Sequence, residues 1–162
     1  MPLTLAFAVS LSSVFGATTS ASAAEVSIPM ARASAGGTVT VSVEYSAQGE
    51  AVSALNFDLA YDPNVFSITP TLGAAAASAS KVLFSNVLSW SDGTAHLRII
   101  IFGLNQTVIQ DGSLVDLHIQ VSPNSPKGQH TLDLVDLTLA SPAAEAVPAT
   151  VQSGRIIVTG GR

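Results

Sequence analysis

The 162-residue sequence contains no cysteine. That absence excludes a disulfide framework, thiolate metal sites and a cysteine nucleophile, and it is compatible with bacterial export. Charge is scarce as well. Only 10% of residues are charged, eleven acids against six bases, for a formal net charge of −5. Nothing here offers the clustered Lys and Arg that a nucleic-acid partner requires. The surface must instead be built mainly from Ser, Thr, Asn and Gln. Aromatics are few, with one Trp and two Tyr, which argues against a platform for stacking on sugars. No convincing amphipathic helix is visible either.

The first 24 residues, MPLTLAFAVSLSSVFGATTSASAA, carry no charge at all. An apolar stretch from Leu3 to Val14, a polar spacer and Ala21-Ser22-Ala23 fit the small-x-small rule of signal peptidase, although no basic residue lies near Met1. The expectation is a signal peptide over residues 1–24, cleaved after Ala23 or Ala24, and a secreted, extracellular product. A membrane anchor is the alternative, but a spanning helix needs about 20 apolar residues and this run is shorter. Residues 25–160 then form one domain, long enough to bury roughly two thirds of its unfolded surface.

Within that domain, alternation of apolar and polar residues predicts strands. Val39, Val41, Val43 and Tyr45 alternate with Thr40, Ser42, Glu44 and Ser46 after an Ala35-Gly36-Gly37 turn. In VSALNFDLAYDPNVFSI, Leu55, Phe57, Leu59 and Tyr61 share one face, with Ala54, Asn56, Asp58 and Ala60 on the other. Asp62-Pro63-Asn64 reads as a tight turn, because the Asp side chain accepts from the backbone two residues on. Leu72-Gly73 and the alanine-rich stretch after it read as a loop with at most one helical turn. Lys81 to Phe84 is a short strand. His96 to Phe102 is apolar on both faces towards its end, which predicts a central strand. Val115, Leu117, Ile119 and Val121 give the clearest period-two run. From His130 to Leu139 the phase shifts between Leu134 and Val135, as a β-bulge would make it. Ser141 to Val151 reads as loose, and Gly154 to Thr159 as a last strand. Eight or nine short strands without helices predict an all-β, antiparallel two-sheet sandwich, of jelly-roll or immunoglobulin-like topology.

Motifs for chemistry are weak. Ser78-Ala-Ser-Lys81 matches S-x-x-K of serine acyl-enzymes, but that motif works from a buried helix start and needs partner motifs. His96, His118 and His130 sit on separate strands without paired metal spacing. Asp116 and His118 share a strand face with no adjacent nucleophile in the sequence, and Asp58, Asp133 and Asp136 have no motif that would pair them for glycoside chemistry. Asp62, Asp92 and Asp111 stand in turn contexts.

The ordered blocks GGTVTVSVEY, FDLAYDPNVFSI, HLRIIIFGLN, DGSLVDLHIQV, Pro126-Lys127-Gly128 and a terminal Ser-Gly-Arg-Ile-Ile-Val, spanning about residues 26 to 159, together resemble the cohesin domain family. The resemblance implies a nine-stranded jelly-roll sandwich, related in fold to carbohydrate-binding modules, that binds dockerin domains and is not a catalyst. In cellulosomes this contact attaches polysaccharide-degrading enzymes to a scaffold, and the calcium belongs to the dockerin, so no cofactor is expected here. The resemblance places the interaction face on the sheet holding Leu55 to Tyr61, with strands around Lys81 to Ser85, His96 to Phe102 and Gln129 to Leu134 beside it. One departure stands out. Cellulosomal cohesins often carry an acid just after the strand matching Ile99 to Phe102, where this chain has Gly103-Leu104-Asn105.

The candidate partner contacts are therefore Asn56, Asp58, Trp90, Asp92, His96 and Arg98, facing a dockerin-like protein in a polysaccharide-degrading context. For Trp90, a buried place as a lid on the core is favoured over a role as partner anchor. A carbohydrate-binding module on the same fold, with a polysaccharide as ligand, is the alternative function. An enzyme is a third and weaker one.

Overall fold

The computed structural model describes residues 23–89 and 93–160. Among them the chain forms β1 (Ala24–Ser27), β2 (Ala31–Ser34), β3 (Thr38–Ser46), β4 (Ala54–Tyr61), β5 (Phe66–Leu72), α1 (Ala74–Ser78), β6 (Val82–Ser89), β7 (Ala95–Phe102), β8 (Gly112–Val121), β9 (Gly128–Ala140), β10 (Ala146–Val147), β11 (Ala149–Gln152) and β12 (Gly154–Thr159). One sheet has the order β11-β1-β3-β8-β5 and the other β2-β12-β9-β4-β7-β6, with β10 attached to β9. The two-sheet sandwich is as expected, but there are twelve strands instead of about nine. Two causes account for the difference. The segment before Gly36 divides at Pro29, whose missing N–H cannot join a ladder, so β1 pairs in one sheet and β2 in the other. The alanine-rich segment after Ser141 becomes β10 and β11 because β9 and β1 offer edges to pair with, and such tertiary pairing outweighs weak strand propensity.

The alternating residues meet between the sheets. Leu55, Phe57, Leu59 and Tyr61 from β4, Leu97, Ile99 and Ile101 from β7, and Leu132 and Leu134 from β9 pack against Val41, Val43 and Tyr45 from β3 and Val115, Leu117, Ile119 and Val121 from β8. The Asp62 turn carries the chain from one sheet to the other. Its Oδ1 accepts the Asn64 amide at 2.8 Å, and its carbonyl accepts from Val65 and Phe66. Val65, Phe66 and Ile68 are then buried on the opposite layer. The bulge expected in β9 is present, but at Asp136-Leu137 instead of between Leu134 and Val135. Asn56 pairs with Thr138 while Asp58 pairs with Val135, so two residues on β9 oppose Phe57 alone, and Asp136 adopts φ 53° there.

α1 is a single short helix where a loop with one helical turn was expected. It has little surface of its own to bury, and it is held by Ala75 and Ala76 against the core and by the Ser113 hydroxyl, which accepts the Ala74 amide at 2.9 Å. No helix among the described residues is long and apolar enough to cross a membrane; residues 1–22, where the signal peptide was expected, lie outside the described part.

Candidate protein-docking face

The outward face of β9, β4, β7 and β6 is built by the same pleat that fills the core. Because side chains alternate, each residue between two core positions points away from the sandwich. The registers set them in rows across the sheet. Val82 lies beside Phe102; Phe84, Ile100, Asn56 and Thr138 form the next row; then come Asn86, Arg98, Asp58 and Val135; and Leu88, His96, Ala60 and Asp133 follow. Sequence positions on four strands thus converge on one surface. The four segments that the resemblance assigned to a common sheet are hydrogen-bonded neighbours.

At one end of this face the rows are apolar. Val82, Phe84 and Phe102 are 52%, 55% and 43% exposed, and Ile100 is half-buried between Phe84 and Asn56. Neighbouring exposed apolar side chains of this size are uncommon on a surface that meets only water. The sequence reading missed this patch. The two-sided apolar character of His96 to Phe102 does mark a central strand, since β7 lies between β4 and β6, but Ile100 and Phe102 belong to the outward face, which is open. The signal was present in the even-numbered Val82 and Phe84, which repeat the outward phase of Ile100 and Phe102.

In the middle of the face lies an ion pair. Arg98 donates from Nε to Oδ1 of Asp58 and from Nη2 to Oδ2, both at 2.8 Å. The Asp58 side chain is almost wholly covered, whereas that of Arg98 is 44% exposed. The hydrogen bond that Arg98 donates to Asp58, and the charge of that carboxylate, hold the guanidinium even further in its protonated form. Asp58 is on the outward face as the alternation required, yet what an approaching surface meets there is the guanidinium. Asn56 is half-buried beside Ile100 and Thr138, and His96 stands one row beyond Arg98, opposite Ala60 and Leu88. The structure therefore brings Asn56, Asp58, His96 and Arg98 together on one face. Trp90 and Asp92 lie outside the described residues.

After β7, where an acid was absent from the sequence, the loop is organised around a buried lysine. Lys81 donates its ammonium to the main-chain oxygen of Asn105 at 3.2 Å and to Oδ1 at 2.8 Å, while Asn105 Nδ2 donates to the Ser80 carbonyl. Burial lowers the Lys81 pKa. A side chain at Gly103 would press against Lys81 Cδ and the Ser80 carbonyl. This clamp takes up the lysine of the S-x-x-K match, and Ser78 is the last residue of α1.

On the opposite sheet, Ser42 donates to Asp116 at 2.7 Å, and the His118 ring lies between the hydroxyls of Thr40 and Thr71 at 3.1 and 3.0 Å. The serine is bonded to the carboxylate while the imidazole faces threonines, which is not the relay that activates a serine. No group of three or more metal-binding side chains occurs among the described residues.

Fold and face together define a jelly-roll sandwich presenting one broad, partly apolar sheet surface. The model of the cohesin domain matches residues 24–158, and the chain belongs to the cohesin family. Solved structures agree in fold. A non-cellulosomal cohesin from the archaeon Archaeoglobus fulgidus is similar at 19% identity and a TM-score of 0.69, over 85% of this chain and 91% of that one. The cohesin chain of a type I cohesin–dockerin complex from Clostridium thermocellum reaches a TM-score of 0.71 at 16% identity, covering 90% and 99%. A cohesin from Clostridium acetobutylicum, solved in solution, gives 0.67 at 19% identity over 85% and 92%. No curated protein matches the sequence.

Proposed function

We propose that the protein is an exported, non-catalytic interaction module that docks a dockerin-like domain on the outward face of β9, β4, β7 and β6. The observation that carries this reading is the exposed cluster of Val82, Phe84 and Phe102 around Ile100, continuous with Asn56 and the Arg98 guanidinium. Such a surface combines apolar area for a partner to cover with a few oriented polar groups beside it. Support also comes from solved relatives, among them the Clostridium thermocellum cohesin in complex with a dockerin. Polysaccharide degradation is the context this reading assigns to the partner. Direct sugar binding has less support, since both tyrosines are core residues. The proposal includes export, with cleavage after Ala23 or Ala24, where β1 begins.

Titration calorimetry against a panel of calcium-loaded dockerins tests the reading. Binding by at least one is expected, weakened about tenfold or more by Phe84→Ala, as for a central contact residue, with the melting temperature nearly unchanged. Silence across the panel, or binding indifferent to Phe84→Ala and Ile100→Ala alike, would overturn it.

A further inference from the structure

Among the described residues, and apart from the two-residue β10 attached to β9, each sheet ends in two edge strands, β11 and β5 in one and β2 and β6 in the other. Unpaired backbone along such edges is a template for another chain, and proteins ordinarily blunt it with shortness, proline or charge. Three of the four edges here are blunted. β11 has four residues and follows Pro148; β2 has four and exposes Arg32; β5 carries Pro70 in its second half. The fourth is not. β6 runs for eight residues, VLFSNVLS, without a proline, a glycine or a charge. Lys81 directly precedes it in the chain, but its ammonium is turned inward to Asn105, and Arg98, beside Asn86 on β7, is held by Asp58. Val82 and Phe84 on the outward phase and Val87 on the other phase are each more than half exposed, so both rims of the edge carry exposed apolar side chains, with uncharged Ser85 and Asn86 between them.

We propose that β6 is a self-association edge, where a second copy of this chain adds its own β6 antiparallel across a two-fold axis and continues the sheet from β7 through β6 into the partner. The extended backbone calls for a strand, and a twofold contact brings the same uncharged strand from each side. That matters for a chain of net charge −5, because approach along this edge opposes no carboxylates. Registers that set Phe84 beside the partner's Phe84 or its Asn86 both keep even-numbered side chains on the outward face, as the period of two requires. This inference concerns the edge and does not depend on what docks on the face.

Sedimentation equilibrium of the full chain, repeated on residues 23–160, tests it, with hydrogen exchange as a local readout. A reversible monomer–dimer equilibrium is expected, with β6 amides gaining protection as concentration rises. Val87→Lys, which restores the missing charge without altering the outward face, weakens dimerisation about tenfold or more. Val151→Lys, the same change on the β11 edge, leaves it unaltered. Val82→Lys repeats the test at the other end of the strand if Val87→Lys loses its native circular dichroism. A monomer at every concentration up to about millimolar, an association untouched by both β6 lysines, or protection gained on another edge overturns the proposal.

Discussion

Arg98 grips Asp58 with two parallel hydrogen bonds of 2.8 Å between β7 and β4, and in doing so covers a carboxylate at the centre of the sheet face. Forked geometry of this kind is stronger and more directional than a single charge contact. It also changes what the face offers: an acceptor that the sequence placed outward is consumed within the sheet, and donors of the guanidinium are left pointing out.

Removing one partner of this pair should hurt more than removing both. In Arg98→Leu the covered Asp58 carboxylate is left without its counter-charge, whereas Asp58→Leu with Arg98→Leu puts two apolar side chains opposite each other. Scanning calorimetry is expected to show a lower melting temperature for the single variant and recovery of most of the loss in the double one. Equal losses in both would mean that the pair stabilises the native sheet by itself.

Tyr45 is buried on the core side of β3, and its hydroxyl has no hydrogen-bond partner among the described residues. Burial first, then the nearby negative charges of Asp111 and Glu50, push its pKa up to about 12. Below pH 10 the phenol is neutral in folded and unfolded chains alike, so it contributes no pH dependence. Between pH 10 and about 12 the unfolded chain ionises and the folded one does not, so stability falls as pH rises through that window. Denaturant unfolding from pH 9 to 12 should show this component in the native chain and its absence in Tyr45→Phe. At neutral pH the variant should be as stable or more so, by up to about 1 kcal/mol, since no bond is lost and a buried polar group is removed.

Gly154 opens β12 where Ile28 crosses it. A Cβ there would fall on Ile28, whose own Cβ lies 2.7 Å and whose carbonyl lies 3.0 Å from the added atom. Both residues are buried, so neither can swing into solvent. Gly154→Ala is expected to cost about 1–3 kcal/mol through overpacking, measured by urea unfolding, and Ile28→Ala combined with it should relieve part of that cost.

Much of the sandwich was legible because its core is written at a period of two. Leu55 to Tyr61 and Val115 to Val121 fix which side of each strand faces inward, and the Asp62 side chain makes the turn that its type and place imply. A bulge in β9 could be read from the change of apolar phase, but it falls at Asp136 and Leu137 and not between Leu134 and Val135: Val135 still points outward beside Asp58, and Leu139 is the residue that returns to the core. What escaped depended on register between distant strands. Val82 and Phe84 reach Phe102 and Ile100 only once β6 and β7 are aligned. Likewise, nothing local told that Arg98 would lie opposite Asp58. Alanine-rich β10 and β11 escaped for a different reason, because their strand character comes from what they pair with.

The two ends of the domain close on each other. β2 has β12 as its strand neighbour, in parallel, and the hydroxyls of Ser34 and Thr159 meet at 3.5 Å across 125 residues of chain. A strand near the start of the domain whose ladder partner is the domain's twelfth cannot settle until that partner has been made, and such distant closure is slow. Until Gly154 to Thr159 are in place, β2 has no strand to join it to β9, and that end of the sheet is the part of the domain left to the close of folding.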